Sequence, residues 1–327
     1  MGRRELLFTL GWLSLLPVNF VLAEPTKPVA APEVKPGSDP DQVKIVATDV
    51  SQFWEAFARA LPQNRLSVFQ KDYVSRGSIG LKDYMEQRTI DLSSLVGAVD
   101  THRDYYTAIR ENSLQAITLQ EPLRESLCKF KVLYPDASFP DIYFIIGNLQ
   151  SRGSLTQNGL IIAVEVFSMG PNIPTSEFED SDKLYLHPII DLHGSVMQQV
   201  VRYQQFPGGL LTTVLAESLL EGSADFLSEL VIGKPFNETL HTYGDAHERE
   251  LWLQFKQDMG TNKLNQWLFN RETVVGKPAE LGAYMGYRIT QAYYNRSPDK
   301  KQAIKDIVTV RDFNRLLNES HYGDKFS

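Results

Sequence analysis

Residues 216–231 read AESLLEGSADFLSELV, and this stretch limits the available folds more than any other. At 100° per residue, Leu219, Leu220, Ala224, Phe226, Leu227, Leu230 and Val231 fall on one face of a helix. Glu217, Glu221, Asp225 and Ser228 line the opposite face. Carboxylates stacked at i,i+4 repel by roughly 0.2–0.5 kcal/mol per pair in water. The penalty grows where solvent is excluded, so a covered stripe needs a cation. Gly222 costs about 1 kcal/mol relative to alanine in the middle of such a helix, which marks a close approach to the backbone.

The stretch 196–205, VMQQVVRYQQ, predicts a second helix. Val196, Met197, Val200, Val201 and Gln204 share one face, and Gln198 and Arg202 lie a turn apart on the other. Two such helices, near in sequence, pack side by side. Arg202 is then the nearest counter-cation for the stripe. The expectation is an Arg202–Glu221 pair with Gln198 near Asp225, and the alternative is that both polar fronts are solvated.

This pair resembles the metal-site helices of a family of predicted zinc-dependent peptidases of the zincin fold, thermolysin-like (gluzincin) in ligand order. That family carries H-E-x-x-H on one helix and E-G-x-A-D on the next. Two imidazoles hold zinc, the intervening Glu polarises the zinc-bound water, and the second motif supplies a third ligand and an orienting Asp. Glu221-Gly222-Ser223-Ala224-Asp225 matches the second motif, and Tyr203-Gln204-Gln205 matches residues that follow the first. The first motif itself is replaced by Gln198-Gln199-Val200-Val201-Arg202. Gln is a poor zinc ligand, a guanidinium is none, and Gln199 cannot take a proton from water. The resemblance extends to Tyr134–Ala137, to DIYFIIG, to the strand ending in Glu165, and to LGAYMGYRITQAYY. In that last stretch Tyr287 and Arg288 match residues that stabilise an oxyanion. The structural alternative keeps Tyr287 in the core and Arg288 paired with the acid stripe. Glu165 either faces the cleft the resemblance implies or is solvated.

The chain has 327 residues, 43% apolar and 22% charged, with net charge −7. That is enough for a full core in one or two lobes, and the acidic balance argues against a nucleic-acid partner. Residues 1–23 read as a secretory signal, with Arg3 and Arg4, an apolar run to Leu16, and Val21-Leu22-Ala23 as the cleavage site. No cysteine stands directly after Ala23, which by the usual rule speaks against a lipoprotein, and no later stretch is long and apolar enough to span a membrane. Residues 24–42, with five prolines, read as a disordered tether. The folded part is expected over 43–327, with a helical lobe (43–133) followed by sheet and site helices (134–327). Cys128 is the only cysteine, so no internal disulfide forms.

Strands are expected over 44–48, 141–146 and 159–167, with a turn-rich hairpin or loop between the last two. Helices are expected over 65–74, 81–88, 92–111, 114–133 and 245–259, with another bearing Phe53, Trp54, Phe57 and Leu61 capped by Asp49 or Ser51. Residues 170–182 read as a surface loop before the site helix. Gly282 and Gly286 at i,i+4 predict a close helix crossing. Ser297-Pro298 reads as a cap followed by a first-turn proline. His193-Gly194 caps a helix start or, with His187 and Glu221, holds a metal. His247-Glu248 begins an H-E-x-x-H pattern that fails at Leu251.

The fold class expected is therefore α+β, mainly helical, and zincin-like through the resemblance. Three functions follow. The first is an exported, periplasmic or secreted peptidase homologue without zinc or hydrolysis, binding a peptide or protein in the former cleft. The second is a working zinc peptidase with a rearranged site at His193 and Glu221. The third is a purely structural envelope protein.

Overall fold

The structure is a computed structural model and describes residues 37–326 except 89, 180–182, 184–185, 187–190, 206–212, 236 and 272. The signal, the start of the tether, and His187 lie outside the described residues. Two compact units divide the chain, one holding the described residues up to Val200 and the other those from Val201.

The first unit begins inside the stretch read as tether. Gly37 bridges Phe139, and a 3₁₀ turn follows at Pro40–Gln42. Arg124 fixes this arm by donating to the carbonyls of Pro40, Asp41 and Val43. Strand β1 (Ile45–Val46) leads into α1 (Thr48–Arg59), α2 (Arg65–Phe69), a π turn (Gln70–Val74) and α3 (Ile79–Gln87). Then come α4 (Leu92–Thr101), α5 (Arg103–Ala108), α6 (Arg110–Thr118) and α7 (Gln120–Leu133). The long helix expected over 92–111 is thus broken. His102 leaves helical dihedrals (φ −116°, ψ 44°) between α4 and α5. Neither Asp49 nor Ser51 caps α1, because Asp49 is fully buried and accepts from the Ser78 amide ahead of α3.

Strands β2 (Ile142–Ile145), β3 (Gly153–Thr156) and β4 (Gly159–Ala163) complete a four-stranded sheet in the order β1-β2-β4-β3. β1 and β4 both run parallel to β2, and β3 pairs antiparallel with β4. The turn-rich segment therefore contains a strand, and the hairpin lies between β3 and β4. Side chains bury both faces of β2 and β4, as parallel strands covered on both sides require. Residues beyond Ala163 leave the sheet as a 3₁₀ turn, Val164–Phe167. The loop before helix α8 (Leu192–Gln204) is tied to α5. Glu177 accepts from the amides of Asp104 and Tyr105, and Phe178 stacks on His102 at 4.2 Å. Asp191 caps the start of α8 by accepting from the His193 amide, so the cap lies two residues ahead of the one expected.

The second unit takes the last turn of α8 and then α9 (Val214–Ile232), α10 (Glu238–Ala246), α11 (Glu248–Asp258), α12 (Leu264–Trp267), α13 (Leu281–Arg296), α14 (Lys300–Val308) and α15 (Phe313–Ser320). The helix expected over 245–259 breaks at His247, which caps α10 and α11. Asp299, rather than Ser297, caps α14 by accepting from the amides of Lys301 and Gln302. The unit is built around α9. Every residue of α9 from Val214 to Ser228 is buried, its acids included. α13 lies against α9 so closely that a Cβ on Gly286 would sit 1.6 Å from the Ser218 carbonyl oxygen. A Cβ on Gly222 would sit 2.0 Å from the Tyr287 nitrogen. The helix-interior glycines are thus the condition for the crossing.

The architecture is α+β and mainly helical with a small mixed sheet.

Candidate functional site

The chemistry-bearing residues of the second unit gather along α9. Arg202, one turn from the end of α8, places Nη2 3.3 Å from Oε1 of Glu221, and both side chains are 7% exposed. Its Nη1 also reaches Oε1 of Gln205 at 3.4 Å. Gln205 donates to Ser223 Oγ at 2.7 Å, and Ser223 donates to the Leu220 carbonyl. The anticipated Arg202–Glu221 pair is present, and an amide–hydroxyl bridge one turn further along supports it. The solvated alternative fails because the stripe is buried. A helix-period argument assigns faces but says nothing of what covers the polar one.

Burial pushes the Glu221 carboxyl up, Arg202 pulls it down, and Glu280 pushes it up again. Burial and the neighbouring Glu221 raise Glu217 to about 7, against the opposing pull of Arg202. Oε2 of Glu217 is buried without a hydrogen-bond partner among the described residues. One guanidinium thus serves two carboxyl groups, and the second avoids an uncompensated charge by staying protonated near neutrality. Further along, Arg271 pairs with Glu280 at 3.5 Å. Burial lowers the Arg271 pKa, and Glu280 and Asp225 raise it in return. Glu280 also accepts from the Phe269 amide. It adopts φ 64°, a left-handed conformation rare for a side chain of its kind.

The remaining sequence candidates fall elsewhere. Gln198 and Gln199 belong to the first unit, where the Gln199 amide donates to the Gln198 side chain at 2.8 Å. His193, in the first turn of α8, meets Ser126 Oγ through Nε2 at 2.9 Å. Among the described residues no three His, Cys, Asp or Glu side chains are grouped to hold a metal ion. Tyr287 is in the core, where it donates to Glu229 and packs edge-on against His241. Arg288 pairs with Glu248 at 2.9 Å and Asp245 at 3.3 Å, acids of α11 and α10 rather than of the α9 stripe. His247 donates through Nδ1 to the Tyr243 carbonyl.

Glu165, read as a cleft or solvated acid, is neither. It is fully buried in the first unit, where burial raises its carboxyl to about 7. Sequence reasoning missed the tyrosines around it, Tyr73, Tyr84, Tyr105 and Tyr106. They lie far from Glu165 in sequence, and at helical spacing they read simply as core.

A family model described as gliding motility protein GldB matches residues 35–324. No curated protein and no solved structure matches the chain. The family match overturns the zinc-peptidase resemblance, and with it the pseudopeptidase and active-peptidase readings. The two motif fragments that carried the resemblance have plainer causes in this molecule. Gly222 serves the α9–α13 crossing, and the acids flanking it in E-G-S-A-D serve a buried charge network. The matching family is named for lipoproteins, whereas the one cysteine of this chain is Cys128, within α7.

Proposed function

The chain belongs to the gliding motility protein GldB family, and from that membership we propose that it is a structural component of the cell envelope serving surface movement. Membership in a lipoprotein family makes it exported and envelope-associated. On the finer point of compartment, we place it on the periplasmic or outer side of the membrane that the segment 1–23 directs it across. Among the described residues no helix is long and apolar enough to cross a membrane.

The observation that carries the structural reading is the state of the polar centre on α9. Arg202 is spent on Glu221 in a contact whose side chains are each 7% exposed. A guanidinium offers no lone pair to a metal and no base to water. What such a centre does well is fix the position of the elements that carry it, since both charges are held only while the geometry is kept. The chain then works without a metal, and its partners are other envelope proteins rather than nucleic acid, in keeping with its net charge of −7.

Deleting the gene in a gliding host tests this. Loss of surface spreading, restored by the full chain found in the envelope fraction, is the expected result. Undiminished spreading of the deletion strain would refute it.

A further inference from the structure

The first unit holds a second buried acid that the structural role of α9 does not use. Glu165 lies in the 3₁₀ turn just past the end of β4, beside the bend where the chain leaves β2. Its carboxyl accepts from the backbone amides of Gly147, Leu149 and Glu165 itself, with the Leu149 contact at 3.3 Å. Leu149 has φ 67°, a left-handed conformation disfavoured for a branched side chain and therefore in need of external support. Tyrosines brace the same bend. Tyr73 from the π turn donates to the Ile146 carbonyl and accepts from its amide. Tyr106 of α5 donates to the Gly147 carbonyl, and Tyr105 donates to the Glu165 carbonyl. Tyr84 of α3 stands over Gly147, where an added Cβ would lie 2.5 Å from its hydroxyl and 2.9 Å from Glu165 Oε1. The other carboxyl oxygen, Oε2, is buried with no partner among the described residues.

We propose that Glu165 is a proton-operated pin, closing the β2 exit bend while its carboxyl is neutral and loosening that bend when it ionises. The groups facing it are the hydroxyls of Tyr73, Tyr84, Tyr105 and Tyr106, all of which burial holds protonated far into the alkaline range. Beyond them, Asp49 of α1 bears on Tyr73, and Arg88 at the end of α3 bears on Tyr84. Among the described residues no cation bears on Glu165 itself, so nothing but backbone dipoles compensates a charge there. Ionisation places that charge in a site without solvent, and the cheapest relief is to open the bend and admit water. A protein on the envelope surface meets changes of external pH that a cytoplasmic one does not. The pin gives this unit a direct response to them, whatever the protein's part in movement.

Amide hydrogen exchange on the full chain, followed in peptides covering 146–149 between about pH 5 and pH 9, tests the proposal. Once intrinsic base catalysis is removed, the opening constant is expected to rise with pH between about 5 and 7, by up to roughly tenfold per unit. It should level off above about pH 7, where the carboxyl is ionised in the closed state as well. E165Q is expected to be flat throughout. Equal pH dependence in wild type and E165Q, or none in wild type, would overturn the pin. Should E165Q fail to fold, infrared spectroscopy of R202M/E221L carrying E217Q as well leaves Glu165 as the buried glutamic acid with a raised pKa. Its protonated carbonyl band should be present in mild acid and lost in mild base, and absence of that band in acid would equally overturn the proposal.

Discussion

Arg202 and Glu221 are 7% exposed, and their worth lies in the cost of separating them rather than in the pair itself. E221A leaves a guanidinium that cannot deprotonate, and a loss of about 3–5 kcal/mol in denaturant unfolding is expected. R202M leaves two carboxyls that can protonate, so its penalty should grow as pH rises. R202M/E221L, which removes both charges and keeps volume, should return to within about 1–2 kcal/mol of wild type. Glu217 gives a separate prediction. Its folded pKa is raised to about 7, from an ordinary 4.5, by burial and by Glu221. The native state therefore binds the extra proton between those values, and stability falls as pH rises through that window. Glu165, also raised to about 7, acts in the same direction. E217Q should remove its share of the slope, a difference of at most about 3 kcal/mol at mildly alkaline pH. Unfolding titrations at several pH values would show this, and an unchanged slope would count against it. The acids, the arginine and their spacing were legible in the sequence. Which of the acids stays neutral was not, because that depends on burial and on how Arg202 is shared between Glu217 and Glu221.

Glycine decides how the helices of the second unit meet. G286A would drive a Cβ to 1.6 Å from the Ser218 carbonyl oxygen, and G222A to 2.0 Å from the Tyr287 nitrogen. Backbone atoms cannot rotate away, so α9 and α13 must separate, at a cost of about 1–3 kcal/mol or more for each variant. G97A on the exposed side of α4, where nothing lies within 4 Å, should instead stabilise by about 0.5–1 kcal/mol. Thermal melts of the three variants compare the signs directly. The close approach was readable beforehand because a helix-interior glycine is costly unless something needs the space. The breaks at His102 and His247 were not readable, since apolar periodicity runs on through both. Strand β3 hid in a turn-rich segment because only its pairing with β4 makes GSLT a strand. The E-G-S-A-D likeness misled for the same reason that it was conspicuous. A small residue between acids suits a close crossing over a buried charge network as well as it suits a metal helix.

At the scale of the whole molecule, the mainly helical α+β class could be read from periodicity, whereas its family could not be read from two motif fragments. The family match spans residues 35–324 and so includes both compact units. A structural role makes the polar centre on α9 dispensable as chemistry and indispensable as geometry, and those two consequences can be separated in the cell. The most direct measurement is the surface movement of a gliding host whose only copy of the gene carries R202M/E221L, once that chain is shown to be folded and present in the envelope. Movement equal to wild type is the result expected of a centre that only holds helices in place. A folded, correctly located double variant that cannot move would contradict the structural account, because it would give those charges a task beyond holding the fold.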